Sequence, residues 1–436
     1  MFPQNNQILG LNSRSLSYLK PYNKKKGRRI ADSKYLTKKA LTKAGLPVPK
    51  LIKIFKTPQQ VMSFPWASFK DNFVLKPASG YGGEGIVIIK KRSKFAGEWQ
   101  LMNDQIVTVS DLRLRSLDIL AGQYSLHNLP DWVMIEERIK ISKVFKKYAF
   151  QGTPDIRVIV YNKVPVAAML RLPTPESRGK ANLHLGAIGV GIDLATGITT
   201  HGIKTSGISS CQHIRYIPQT KRKINGLKLP SWDKILTLAV RCQEAVDSLG
   251  FLGVDIVFDK EHGPVILELN TRPGLWIQSA NKLALKRRLN RVEGLEIRDA
   301  EHGVRVARTL FAARFADRVM AEEGVKILSI FEDVKIRGSD KKRIPVSAKI
   351  DTGAWRTSVD YKLARRLGLL RRENILWRKK VRSSIGKTSR PVINLTYFLA
   401  GRKIETIAGV SNREHMSYPL LIGRKDLTGF LVKPRK

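Results

Sequence analysis

The spacing of apolar residues changes period several times along the chain, and each change predicts an element. ADSKYLTKKALTKAG (31 to 45) has helical spacing, and Gly45 followed by LPVP stops the helix. FVLKP (73 to 77) and IVIIK (86 to 90) read as strands around a glycine-rich loop. WVMIEERI (132 to 139), DIRVIVYN (155 to 162) and PVAAMLRL (165 to 172) are strand-like. SWDKILTLAVRCQEAVDSLG (231 to 250) reads as a helix, with Ser231 as N-cap and Gly250 as stop. FLGVDIVFD (251 to 259) and PVILELN (264 to 270) predict a strand pair. EHGVRVARTLFAARFADRVMAEE (301 to 323) is a long helix placed to connect two parts. After Gly324 short strands and turns run to Lys436, so the chain divides near residue 325.

Composition narrows the class. At 436 residues there is room for two or three domains, and 42% hydrophobic residues is ordinary for a soluble globular protein. No apolar run approaches a membrane span, and MFPQNNQILG lacks the layout of a signal peptide. Cys211 and Cys242 are too few for a disulfide framework or a cysteine-rich metal site. A cytoplasmic protein with no membrane partner is expected.

Charge stands apart. Lys plus Arg is 79 against 36 Asp plus Glu, a formal net charge of +43. The cations cluster in KKKGRR (24 to 29), KRK (221 to 223), KRRLNR (286 to 291), KKR (341 to 343) and RKKVR (378 to 382). Clusters of this kind fit an anionic partner, whether nucleic acid, an acidic peptide or a membrane surface. They are not interleaved with aromatics as a single-strand binder requires. A generally basic, solvated surface is the plain alternative.

VILELNTRPG (265 to 274) puts Glu268 and Asn270 on an apolar strand, and alternation places both on one face. With a loop at Lys260 to Gly263, residue 259 pairs with 264, 257 with 266, and Asp255 with Glu268. Two opposed carboxylates repel unless a cation lies between them. An Asp, Glu, Asn oxygen set suits Mg²⁺ or Mn²⁺, with phosphates completing the shell. A structural hydrogen-bond cluster is the alternative. Upstream, KPASGYGGEG (76 to 85) sets Lys76 and four glycines at the end of a strand. Glycines let backbone N–H groups approach phosphate. A strand follows the loop, so it is neither a Walker motif nor a dinucleotide fingerprint, and it fits a lid over a nucleotide.

Taken together, these stretches carry a family resemblance. LGLNSRSLSYL, DSKYLTKKALTKAGLPVP, FVLKPASGYGGEGI, GTPDIRVIV, AAMLRLPTPESRGKANLHLGAIGVGID, FLGVDIVFD and ILELNTRPGLWIQSAN occur in the order found in ATP-grasp ligases. Residues 9 to about 290 most resemble the group called alpha-L-glutamate ligase-related proteins. The resemblance implies an ATP-grasp domain over 1–300 with ATP as cofactor. Lys34 and Lys76 would hold its phosphates, Gly80, Gly82, Gly83 and Gly85 would form the lid, and Glu136 and Glu137 would lie in the adenine hinge. Arg157, Arg171 and Arg272 would act at the substrate or the transferring phosphoryl, and Asp255, Glu268 and Asn270 would bind two Mg²⁺. About 30 residues precede the first helix motif, so the separate N-terminal domain of many such ligases is expected to be missing or reduced. No carboxylate for the ribose hydroxyls follows the hinge, where Lys143, Lys146 and Lys147 lie.

Beyond a helical connector at 301–325, SAKIDTGAWRTSVD (347 to 360) carries Asp-Thr-Gly after a β-run, and YPLLIGRKDL (418 to 427) follows. Residues 326–436 resemble the retropepsin-like domain also called an ATP-dependent zinc protease, which accompanies glutamate ligases of this type. Asp351 would be the catalytic aspartate, Thr352 and Gly353 its tight loop, and the region around Gly386 the flap. One Asp-Thr-Gly supplies half of an aspartic dyad, so cleavage would need a homodimer. Zinc finds no ligand set: there is no His-Glu-x-x-His, only Glu414 beside His415. The alternative is a fold kept for binding without cleavage.

The expected fold is α+β, an ATP-grasp domain followed by a small all-β retropepsin-like barrel. The expected activity is an ATP- and Mg-dependent carboxylate–amine ligase joining an amino acid, glutamate by resemblance, to an acidic peptide or protein. The second domain would trim or bind the product. The rival is a nucleic-acid or ribosome-binding protein on a degenerate ATP-grasp scaffold, against which Lys76, Asp255, Glu268 and Asn270 argue. Residues 326–436 hold 27 Lys and Arg against 9 Asp and Glu, a net of +18 against +25 on the other 325 residues. That density marks the second domain as the expected holder of an acidic tail.

Overall fold

A computed structural model describes residues 7–80, 82–125, 128–206, 210–218, 220–224, 226–311, 326–383 and 386–433. The chain forms two compact units, one of residues 1–192 with 197–293, the other of 193–196 with 294–436.

The first unit holds two antiparallel sheets. In the smaller, β1 (Leu51–Phe55), β2 (Phe73–Pro77), β3 (Val87–Arg92), β4 (Glu98–Leu101), β5 (Ile106–Thr108) and β6 (Val133–Glu136) lie in the order β1-β6-β2-β3-β4-β5. Phe55, Trp66, Phe73 and Trp99 fill its core together with Leu112 and Ile119 of the helix Val109–Leu120. Thr108 and Asp111 close that helix with a reciprocal capping box. The strands β2 and β3 pair from Leu75–Val87 outward, which is the expected strand–glycine loop–strand hairpin.

The larger sheet contains β7 (Asp155–Tyr161), β8 (Val164–Leu172), β9 (Ile188–Ile192), β10 (Thr199–Ser206), β11 (Ser210–Ile214), β12 (Phe251–Asp259) and β13 (Gly263–Asn270). Their order is β11-β10-β9-β8-β7-β12-β13. The helix Trp232–Ala245 covers β7, β8, β12 and β13, and the helix Trp276–Asn281 lies across β8, β9 and β10. Gly191 permits that second contact, since a Cβ there would sit 2.4 Å from the Ala280 carbonyl oxygen.

Register in the β12–β13 hairpin departs from expectation near the turn and then recovers. Asp259 pairs with Gly263 and Val257 with Val265, each one residue short of the expected partner. A bulge then makes Leu267 the extra residue, so Ile256 faces Ile266 while Asp255 faces Glu268. Without the bulge Asp255 would face a leucine. The expected carboxylate pair forms because two local deviations cancel.

Helix limits shift for local reasons. The predicted helix at 31 to 45 is two helices, Lys25–Asp32 and Lys34–Lys43, with extended Ser33 between them capping the second through Leu36 N at 3.3 Å. Gly45 ends it at φ 69°, as expected. Ser231 is left-handed at φ 50° and makes no side-chain cap, and the helix after it ends at Ala245, short of Gly250. The predicted cap and stop are both absent because the chain enters and leaves by turns. No helix among the described residues is long and apolar enough to cross a membrane.

In the second unit, β14 (Lys326–Leu328), β15 (Phe331–Arg337), β16 (Arg343–Asp351), β17 (Ser358–Asp360), β18 (Ile375–Ser383), β19 (Gly386–Leu399), β20 (Arg402–Ser411), β21 (Leu420–Gly423) and β22 (Phe430–Val432) are its strands. Their order β15-β16-β21-β17-β20-β19-β18, with β15 also pairing β19, closes a six-stranded barrel that leaves β18 outside. Val334, Ile336, Ala348, Ile393, Tyr397 and Ile422 are among the residues filling it. One short helix, Tyr361–Arg366, interrupts the strands, capped by Asp360. The helix at Ala300–Phe311 packs within this unit, where buried His302 Nε2 lies 2.9 Å from the Leu376 carbonyl oxygen. The rest of the predicted connector, 312–325, lies outside the described residues.

Replacing Gly191 by Ala should destabilise the first unit by about 1–3 kcal/mol, the usual cost of an added methyl in a tight contact. Urea unfolding followed by tryptophan fluorescence measures it, and an unchanged midpoint would show that the helix can move away.

Candidate active site

Two clusters of charge form in the first unit, one from each sheet. In the first, Lys76 on β2 and Lys38 on the helix Lys34–Lys43 share the carboxylate of Glu136 on β6. Lys38 lies 3.0 Å from Oε2, and Lys76 bonds Oε1. All three residues are buried. Burial raises the Glu136 carboxyl, but the two ammonium groups outweigh it and hold the pKa below its ordinary value. Half-buried Lys34, one turn before Lys38, donates from Nζ to the Gly80 carbonyl at 2.7 Å. Its pKa is lowered by burial first, against which the nearby Glu268 acts. Three lysines thus converge beside the glycine loop.

That loop begins where Ser79 N donates to Asp131 Oδ2 at 2.7 Å. Gly82, Gly83 and Gly85 have φ of 66°, 75° and 70°, a left-handed run open to few other residues. Tyr81 lies outside the described residues. Lys180 pairs with Glu84 at 2.5 Å on the exposed side of the loop.

The second cluster covers one face of the larger sheet. Asp255 is Cα partner to Arg157 on one side and to Glu268 on the other, and Asp155 is Cα partner to Arg171. Arg157 donates from Nε and Nη2 to Asp255 at 2.7 and 2.6 Å. Arg171 grips Asp155 through Nε and Nη2, each at 2.5 Å, and reaches Asp255 Oδ2 at 2.7 Å. Asp255 is 1% exposed. Burial would raise its pKa, but Arg157 and Arg171 hold it far below the carboxylate range. The neighbours show the opposite: burial, with Asp255 adding to it, pushes Glu268 up. Burial also pushes Asp155 up to about 6.

Asp255 accepts three guanidinium bonds and faces Glu268 across the strand pair, and that facing anion makes Glu268 harder to ionise. A divalent cation between the two would relieve the repulsion between their oxygens. Asn270, on the same face two residues beyond Glu268, accepts from Arg272 N at 2.9 Å. Among the described residues no group of three or more His, Cys, Asp or Glu forms a metal cluster. The candidate set is two carboxylates and an amide, all oxygen donors suited to a hard cation.

Several expected residues are placed differently from their expected contacts. Arg157 and Arg171 bind carboxylates of the chain itself, so they hold Asp255 in place. The Glu136 carboxylate is spent on Lys38 and Lys76, and the Glu137 backbone N–H donates to the Lys50 carbonyl at 2.9 Å. Arg272 is exposed and stands beside Arg14, whose Nη1 donates to the Pro273 carbonyl at 2.8 Å. Sequence reasoning missed Lys38 and Asp155, though each had a signal: Lys38 is i+4 from Lys34, and Asp155 is i−2 from Arg157.

In the second unit, Asp351 ends β16, where it pairs with Gly423 of β21. Its Oδ1 accepts from Gly353 N at 2.9 Å and Ala354 N at 3.0 Å, the tight loop expected of Asp-Thr-Gly. A Cβ on Gly423 would meet the Arg356 backbone at 2.5 Å, so the two loops cross closely. Asp426, also missed, accepts from Thr357, from Thr406 at 2.7 Å and from Tyr397 at 3.1 Å. Burial raises its pKa against these hydroxyls. β18 and β19 form a hairpin joined at Ser383–Gly386, the expected flap position, with 384–385 outside the described residues. Glu414 pairs with Lys362 on the exposed surface.

A family model described as sugar-transfer associated ATP-grasp matches residues 13–294. The chain belongs to this ATP-grasp family. A second model, retropepsin-like aspartic endopeptidase RimB, matches residues 364–433. The protein is therefore an ATP-grasp ligase fold joined to a retropepsin-like domain. ATP-grasp enzymes use ATP with divalent metal. No curated protein matches the chain. Among solved structures it is similar to the ATP-grasp ligase PsnB complexed with minimal precursor, at 16% identity, 62% of each chain and a TM-score of 0.34. It is also similar to VanG D-Ala:D-Ser ligase from Enterococcus faecalis, at 15% identity, 62% of each chain and a TM-score of 0.34. For simian foamy virus protease the values are 21% identity, 22% of this chain, 91% of that one and a TM-score of 0.18. The chain spans about 62% of the length of the two ligases.

The raised acids give the ATP-grasp unit a pH signature. The folded pKa of Asp155 is about 6 against an ordinary 3.8, so the native state holds a proton that the unfolded chain releases. Its contribution is complete below about 3.8 and is lost as pH rises through about 6. Asp155→Asn should flatten the fall in stability between those limits. Urea midpoints measured across that range check it, and an unchanged slope would contradict the assignment.

Proposed function

We propose that the protein is an ATP- and divalent-metal-dependent carboxylate–amine ligase that forms an amide through an acylphosphate. The observation that carries this is the Asp255–Glu268 pair, Asp255 held by Arg157 and Arg171 and Glu268 near Lys34, which reaches the glycine loop beside Lys76. Lys34 and Lys76 would meet the phosphates of ATP, with Lys38 and Glu136 holding Lys76 in place. N–H groups of the loop at Gly80, Gly82, Gly83 and Gly85 would close over them. Asp255, Glu268 and Asn270 would hold Mg²⁺ or Mn²⁺, which supplies neutralisation of phosphoryl charge. A substrate carboxylate attacks the γ-phosphorus, forming acylphosphate and releasing ADP. An amine then adds to the acyl carbon, loses its proton, and phosphate leaves. Arg272, exposed two residues beyond β13, would steady the carboxylate substrate. Glutamate as the amino acid rests on the family resemblance, and the acceptor is read as an acidic peptide.

For the second domain we propose an aspartic-peptidase-like role in trimming or binding the product, with Asp351 as the acid. Asp351 sits on its tight loop but has no second aspartate of the same kind in this chain, so the working form would be a homodimer.

Asp255→Asn and Glu268→Gln should each lower ADP formation by more than about 100-fold, a loss typical of removing charge stabilisation at a transition state. Glu268→Gln also relieves crowding, so its thermal stability should hold, whereas Asp255→Asn leaves buried Arg157 and Arg171 short of a counter-charge and should lower it. An ADP-release screen over amino acids and acidic peptides measures it, and full activity in both variants, or wild-type turnover in excess chelator, would sink the metal assignment.

The full chain should sediment as a dimer whenever it cleaves peptide, and Asp351→Asn should abolish cleavage. A strict monomer that still cleaves would overturn the shared-dyad mechanism.

A further inference from the structure

One short helix of the first unit carries four cations, with a fifth at its N-cap, and among the described residues none of the five has a neutralising partner. Helix Lys25–Asp32 buries Gly27 and Ala31, one turn apart. A Cβ on Gly27 would lie 2.7 Å from Ser248 Oγ, so glycine lets the helix lie close against that turn. With this face used, Lys24, Lys25, Lys26, Arg28 and Arg29 are exposed, and among the described residues none of them forms an ion pair. Lys25 and Lys26 stand in the first turn, which holds no acid. A cation there opposes the helix dipole, at a cost of about 0.3–1 kcal/mol each. Local rules broken without a compensating contact are expected at functional surfaces.

The helix leads to the candidate active site. Asp32, its last residue, accepts from Thr271 Oγ1 at 3.4 Å, and Thr271 follows Asn270. Beside Thr271 stand Arg272 and Arg14, two guanidinium groups close enough to repel, with no carboxylate between them. Arg14 Nε is buried without a hydrogen-bond partner. An anion between these arginines would relieve their repulsion and occupy that donor.

We propose that Arg14, Arg272 and the cationic face of helix Lys25–Asp32 form a track for an acidic acceptor peptide. One carboxylate would sit at the arginine pair and the following ones along the helix. Eight residues at 1.5 Å rise span about 12 Å, the reach of roughly four residues of extended peptide. The helix carries no aromatic residue to stack a base, which favours a peptide over a single-stranded nucleic acid. The place of this track in a reaction rests on the ligase reading above, but binding itself does not.

The test is fluorescence anisotropy of a labelled hexaglutamate peptide with the full chain. Wild type should bind with affinity that falls as salt rises and grows with tract length. The triple variant Lys25→Gln, Lys26→Gln, Arg28→Gln should weaken binding by about tenfold or more, as should Arg14→Gln. The charge-keeping pair Lys25→Arg, Lys26→Arg should bind like wild type, and melting curves verify that each variant folds. Wild-type affinity in the triple variant, or displacement of the peptide by single-stranded RNA at far lower concentration, would overturn the proposal. Peptide binding without any ADP release would leave the track standing and remove the ligase reading instead.

Discussion

Everything in the first unit is arranged around one buried carboxylate. Asp255 has almost no access to water, and an ionised group there is tolerated only because Arg157 and Arg171 surround it. That arrangement needs four adjacent strands in one register, since each charge comes from a different chain position but the same sheet face. Shifting any of β7, β8, β12 or β13 by one residue would turn its charge into the apolar core. The site and the sheet are therefore one constraint.

The same electrostatics divide labour among the acids. Burial, with the Asp255 charge adding to it, makes the neighbouring Glu268 and Asp155 harder to ionise, though Arg171 offsets this at Asp155. A cation beside the pair would ease the same repulsion. On the opposing sheet Glu136 plays the converse part, a buried anion that draws Lys38 and Lys76 together. Each sheet thus carries buried carboxylates neutralised by cations of the chain itself.

The second unit repeats the theme with hydroxyls. Asp426 is kept inside the barrel by Thr357, Thr406 and Tyr397, which ties the strand ends near the Asp-Thr-Gly loop to the Gly-Arg-Lys-Asp segment. The loop geometry of Asp351 fits a retropepsin-like fold. Basic clusters serve neither set of internal contacts. Those on the helix Lys25–Asp32 are exposed and stand in a first turn that holds no acid.

Pattern alone determined much. Strands β2, β7, β8, β12 and β13 lay where alternation and apolar runs placed them, and Asp255 opposite Glu268 followed from strand geometry and a turn. The motifs gave the family and the barrel, because they are local and read in order. Tertiary structure decided the rest. The bulge at Leu267 that rescues the carboxylate register leaves no mark in the residue pattern. That Arg157 and Arg171 serve Asp255, and that Glu136 serves two lysines, depends on groups dozens of residues apart whose charges must be balanced on burial. Spacing reveals which side chains share a face. Which of them neutralise each other is settled only when the strands come together and water leaves.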